Sequence, residues 1–219
     1  MPLRKVPLVT GETYHILSKS IAGYVIFRNK KEFERMRALF KYYQAEKTAF
    51  KFSVYFNVKN KQKFYQKYSV SKEKLVEIIC YCIMPTHIHL VLQQLRENGI
   101  VQYMNNILNS YSHYFNIKTE RRGPLWESRF GNVLLETDEQ LAHLTRYIHI
   151  NPATAYLVDK PQDWPFSSYQ EFLGQIEESQ KLCNYSELMH IKPEGYQEFI
   201  NSQIDYQREL ADIKRLFLE

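Results

Sequence analysis

Cysteine is scarce: Cys80, Cys82 and Cys183 are the only three in 219 residues. Three cysteines at that spacing do not build a disulfide framework, so they point to a reducing compartment. Long apolar runs are missing too. No stretch approaches the roughly 20 residues that a membrane-spanning helix needs, which excludes a helical membrane protein. The opening MPLRKVPLVTGETY lacks the apolar core of a secretory signal. The expectation is therefore a cytoplasmic chain with no membrane partner. No internal repeat is visible, and a repeat architecture is set aside.

What is present is a globular composition, 44% hydrophobic and 24% charged, long enough for one substantial core. Net charge is +5, but it is unevenly spread. Residues 1–74 hold 17 Lys and Arg against 5 Asp and Glu, and the remainder holds 12 against 19. A basic half suits a polyanionic partner, because lysine and arginine displace counterions from phosphates. Tyrosine is abundant, with 17 residues, some interleaved with lysine as in KFYQKY (63–68). Aromatic rings beside cations suit stacking on unpaired bases, and they suit half-buried helices equally.

Periodicity organises the chain as follows. TYHIL (13–17) alternates like a strand, and YVIF (24–27) would extend it or pair with it. Residues 30–43 place Phe33, Met36, Leu39, Phe40 and Tyr43 at helical spacing. FKFSVYFNV (50–58) is ambiguous, and 59–74 is a polar, basic insert. LVEIICYCIM (75–84) and THIHLVLQQ (86–94) flank Pro85 as a central antiparallel hairpin. Residues 99–118 form a helix with Val101, Met104, Ile107, Leu108, Tyr111 and Phe115 on one stripe. RRGPLWESRF (121–130) is a Gly-Pro loop and FGNVLLET (130–137) a strand. Thr137 caps a last helix, with Gln140 at the capping-box position, and Asn151-Pro152 ends it. This order predicts an α+β fold, an antiparallel sheet covered by helices. Residues 1–160 would form the main domain and 161–219 a helical C-terminal extension.

Two histidines one residue apart on a strand point to the same face. His87 and His89 in MPTHIHLVLQQ (84–94) can therefore share a divalent ion, or form a hydrogen-bonded pair with no ligand. In RYIHINP (146–152), Tyr147 and Asn151 stand one helical turn apart, with His143 a turn earlier. Leu141, Leu144 and Ile148 would press that helix onto the sheet. A phenol would then hang over the imidazoles, with the Asn151 amide oxygen available to the ion. The plain alternative is a core tyrosine and a capping asparagine.

These stretches, in this order, resemble a known family. YCIMPTHIHLVLQ resembles the histidine–hydrophobic–histidine strand of the HUH single-strand nucleases. GPLWESRF, ETDEQLAHLTRYIHINP and WPFSSY, with TYHILSKSIAGYVIF near the start, resemble the IS200-like transposases and their REP-associated tyrosine transposase relatives. The resemblance spans roughly residues 13–172. It implies a ferredoxin-like fold, a bacterial, nucleoid-associated setting, and a monomer or homodimer acting on single-stranded DNA with hairpins. It also implies cleavage and rejoining through a 5′-phosphotyrosine. Tyr147 matches the nucleophile, and His87, His89 and Asn151 match the metal site. Thr86 stands where the family has asparagine. Tyr111 in NSYSHYFN is a second tyrosine to weigh.

A phenol titrates near pH 10, so it needs help at neutral pH. Imidazole ligation suits Mn²⁺ as well as Mg²⁺, and such an ion polarises the scissile phosphate. Arg121, Arg122 and Arg129, with Trp126, are candidate phosphate and base contacts, and Trp126 is equally a candidate core anchor. Lys59, Lys61, Lys63 and Lys67 are candidate backbone contacts. Two rivals stand beside this reading. Cys80, Cys82, His87 and His89 could form a closed structural zinc site, or the fold could bind nucleic acid without cutting it.

Overall fold

The computed structural model describes residues 4, 6–48, 50–60, 63, 73–127, 129–185, 193–204 and 206–208. Four strands, β1 (Thr13–Lys19), β2 (Val76–Ile83), β3 (His87–Gln94) and β4 (Gly131–Leu135), form one sheet in the order β2-β3-β1-β4. Every neighbouring pair is antiparallel. The helices are α1 (Lys30–Tyr42), α2 (Phe52–Phe56), α3 (Gly99–Lys118), α4 (Asp138–Thr154), α5 (Tyr169–Phe172) and α6 (Pro193–Asn201). This is the α+β, ferredoxin-like sheet covered by helices that the sequence predicts.

Strand alternation sorts the side chains into two cores. On one face Tyr14, Ile16, Ile88, Leu90 and Leu92 pack with Met36, Phe40, Met104 and Ile107 of α1 and α3. On the other, Cys80, Cys82 and Val91 pack with Leu141 and Ile148 of α4. α3 approaches the start of β2 so closely that a Cβ on Gly99 would lie 2.3 Å from the Leu75 carbonyl oxygen. Only glycine allows that approach.

Two expectations are corrected, and one ambiguous stretch is resolved. Residues 24–27 are not a strand; Ile26 and Phe27 both donate backbone N–H bonds to the Pro85 carbonyl, which pins the segment to the hairpin turn. FKFSVYFNV contains the short helix α2. α4 does not stop at Asn151 but continues through Pro152 to Thr154. Pro152 cannot donate to the preceding turn. It is buried, as are Ile150 and Ala153, and the helical bonding resumes beyond it, with Ala155 N donating to Asn151 O at 2.9 Å. The N-terminus of α4 is capped as predicted, with the Gln140 N–H donating to Thr137 Oγ1 at 3.1 Å.

WPFSSY covers the free edge of β2, which would otherwise expose unpaired backbone groups. Ile83 N donates to Phe166 O, Ser168 N donates to Tyr81 O, and Cys82 bridges to Ser167. Ser168 and Tyr196 also hold the inner face of α4. The buried His149 lies 2.7 Å from Ser168 Oγ through Nε2, and 2.6 Å from the Tyr196 hydroxyl through Nδ1. Two residues away on the same helix, Tyr147 faces outward, 46% exposed. No helix among the described residues is long and apolar enough to cross a membrane.

Candidate active site

β3 places His87 and His89 on the sheet face that α4 covers, with ring centroids 5.0 Å apart. His89 is 3% exposed. Its ring meets Tyr147 edge to face at 5.9 Å between centroids, and its Nε2 lies 3.1 Å from Asn151 Nδ2. Because α4 runs on through Pro152, Asn151 keeps its helical register one turn from Tyr147. Both side chains therefore reach His89 from the same chain.

Both histidines have a partner on Nδ1. Thr86 Oγ1 lies 2.9 Å from His87 Nδ1. His15 Nε2 lies 3.0 Å from His89 Nδ1. Burial lowers the pKa of His87 to about 4, helped by the Lys19 cation. Burial, then the neighbouring His87, His15 and Lys19, holds His89 well below its ordinary value. The rings are neutral at pH 7, the form that binds metal. Among the described residues, no three His, Cys, Asp or Glu side chains are arranged to hold one ion. A divalent cation here would take the two imidazoles and, after a half-turn of the carboxamide, the oxygen of Asn151. That donor set fits Mn²⁺ or Mg²⁺ with further positions left for phosphate oxygens.

The other sequence candidates fall in different places. Tyr111 is fully buried on the opposite face of the sheet and donates to the Ile26 carbonyl at 2.7 Å. Burial pushes its pKa up. Trp126 is a core anchor, 8% exposed, with its indole N–H donating to Leu108 O at 3.2 Å. Arg121 braces its own loop through Asn116 and the Gly123 carbonyl, while Arg122 and Arg129 are exposed. Lys59 and Lys63 are exposed; Lys61 and Lys67 lie outside the described residues. His143 pairs with Arg146 Nη2 at 2.7 Å. The cysteines do not converge with His87 and His89. Cys82 pairs in register with His89, but Cys80 Sγ lies 3.4 Å from His149 Nε2, and among the described residues no three His, Cys, Asp or Glu side chains converge on one ion, so the zinc arrangement is not formed.

Lys19 and His15 escaped the sequence reading. Lys19 pairs in register with His87, and its carbonyl accepts the Glu127 N–H at 2.8 Å. The loop 121–130 is thereby tied to the rim of the site. His15 sits in TYHIL, whose alternation reads as an ordinary strand. The signal was its parity with Lys19, but only the β1–β3 register brings either residue to the histidine pair.

Paired imidazoles thus lie on one sheet face, with a tyrosine and an amide delivered to them by the covering helix. Sequence comparison gives the family: residues 13–151 match the family described as "Transposase IS200 like", and the chain belongs to it. A putative REP-associated tyrosine transposase of Haemophilus influenzae is 33% identical over 104 residues, 42% of this chain and 58% of that protein. The REP-associated tyrosine transposase of Escherichia coli K12 is 24% identical over 101 residues, 46% of this chain and 58% of that protein. The chain thus spans 58% of the length of each of these relatives. A solved structure of a REP-associated tyrosine transposase bound to a REP hairpin has a TM-score of 0.54 at 16% identity. It covers 87% of this chain and 99% of its own, a likeness of fold.

Proposed function

We propose that this chain is a tyrosine transposase that cuts and rejoins single-stranded DNA carrying REP-type hairpins, with Tyr147 as nucleophile. The observation that carries the reading is the meeting of Tyr147 and Asn151 on one imidazole, His89, within one chain. The Tyr147 oxygen attacks the scissile phosphorus, the bond to the 3′-oxygen breaks, and the phosphate remains on the tyrosine through its 5′ side. The 3′-oxygen leaves as a hydroxyl. The new ester keeps the energy of the phosphodiester, so a second 3′-hydroxyl can reverse the step without ATP.

His87, His89 and Asn151 are the residues that would hold the divalent cation, which supplies Lewis-acid polarisation of the phosphate when bound. Lys19, beside His87, supplies positive charge to the incoming backbone, and Arg122 and Arg129 extend it along the anchored loop. A strand without a complement is required, because duplex geometry shields the backbone from a phenol held this close to the sheet.

Labelled hairpin single strands with Mn²⁺ test the reading. Nicked product and a covalent adduct are expected, both abolished in Tyr147→Phe and retained in Tyr111→Phe. An adduct that survives Tyr147→Phe but not Tyr111→Phe overturns the assignment. Tight hairpin binding with no nicking in any divalent metal favours the non-cutting rival.

A further inference from the structure

β1 and β3 run antiparallel with Leu17 opposite His89 and His15 opposite Val91. His15 and His89 are therefore diagonal neighbours on the same face, a separation that aromatic side chains can bridge. Their rings are nearly parallel, 6° apart, with centroids 5.3 Å apart, and the His15 Nε2 to His89 Nδ1 distance is 3.0 Å. On the far side of His89, Asn151 Nδ2 approaches Nε2 at 3.1 Å.

The directions of these contacts are coupled. On the metal-assisted reading His89 Nε2 is the ligand atom and carries no proton. In a neutral imidazole the proton then sits on Nδ1. That N–H must donate, and the atom in front of it is His15 Nε2, which must accept. His15 in turn keeps its own proton on Nδ1. The chain runs from His89 to His15, and it leaves the His89 Nε2 lone pair beside Asn151. Thr86 occupies the matching position behind His87 Nδ1.

We propose that His15 is a positioning residue: by accepting the His89 Nδ1 proton, it fixes the ring and the tautomer that present Nε2 toward Asn151 and Tyr147. Its functional consequence rests on the proposed metal-assisted reading, because a ligand imidazole must offer an unprotonated nitrogen. A backing acceptor of this kind orients a metal-ligating histidine and raises its basicity, and losing one typically weakens metal binding about 10- to 100-fold. The ring of His15 reaches the site at His89. It acts through His89.

The test begins with metal-free, ¹⁵N-labelled full-length protein, in which two-bond proton–nitrogen spectra report which ring nitrogen of His89 is protonated. The expected result in the unmodified protein is protonation at Nδ1 alone. A His89 ring protonated at Nε2 overturns the proposal without any variant. His15→Phe keeps a ring in the same place but removes the acceptor. It should give a mixed or reversed His89 tautomer, and Mn²⁺ affinity, read by electron paramagnetic resonance of the free ion, should fall about 10- to 100-fold. His15→Gln restores an acceptor and should recover the tautomer and most of the affinity. An unchanged tautomer and unchanged Mn²⁺ affinity in folded His15→Phe also overturn it. The underlying reading fails separately: Mn²⁺ that does not bind the unmodified protein sinks the metal site, while the tautomer measurement still decides the role of His15.

Discussion

Glu32 is buried between α1 and α3 and gathers three donors. The backbone N–H of Arg28 reaches its carboxylate at 2.6 Å, Arg28 Nη2 at 3.0 Å and Lys118 Nζ at 2.9 Å. Glu32→Gln keeps the shape and removes the charge. A hydrogen bond to an ionised partner contributes about 1.5–3 kcal/mol when protected from water. The Arg28 and Lys118 side chains are each 39% exposed, however, so solvent competes for both cations and reduces their share to about 1 kcal/mol each. Glutamine must also turn its NH₂ group toward one of these donors. The expected loss is about 2–3 kcal/mol, or roughly 4–12 °C in Tm for a chain of this size. Burial alone would raise the Glu32 pKa, but the bonds from Arg28 and Lys118 outweigh it and hold the pKa below its ordinary 4.5. In acid the unfolded chain therefore binds this proton more readily than the folded one. The stabilisation is present above about pH 4.5 and disappears as pH falls through the folded value. Urea titrations of both proteins from pH 7 to pH 3 read the gap directly. A gap below about 0.5 kcal/mol at pH 7, or one that stays constant into acid, would refute the reasoning.

Gly99→Ala should destabilise the protein by about 1–3 kcal/mol in urea, although alanine ordinarily favours a helix, because the added methyl meets the Leu75 carbonyl; a stabilised variant contradicts the close approach. Lys19→Ala should weaken binding to all single strands alike and lower the slope of log affinity against log salt by about one; a loss confined to one hairpin sequence would assign Lys19 to base reading. Tyr111→Phe leaves the Ile26 carbonyl without its buried donor and should cost about 1–2 kcal/mol while hairpin nicking persists.

Local pattern made much of this protein legible. The period-two run in THIHLVLQQ put both imidazoles on one face, and the turn between Tyr147 and Asn151 put those two side chains together. Thr137 and Gln140 marked the start of α4 because capping is a local interaction. What escaped the sequence was non-local. Proline marks a helix end by local rules, but α4 continues past the buried Pro152 to Thr154. His15 and Lys19 reach the site only through the β1–β3 register, which no single strand encodes. WPFSSY looked like the start of an extension; its docking on the β2 edge depends on backbone groups that carry no side-chain signature. Trp126 was open between a DNA contact and a core anchor, and its indole bond to Leu108 across the α3 surface gives it the second place.

The proposed reaction leaves its mark on the side chain that carries the phosphate after the strand is cut. Mass spectrometry of the protease-digested adduct, formed with a hairpin single strand and Mn²⁺, identifies that side chain. A nucleotide 5′-phosphate on Tyr147 is expected, in the peptide that also contains His149 and Asn151. A phosphate carried by any other residue, or a hairpin cut with no residue modified, would contradict that reaction.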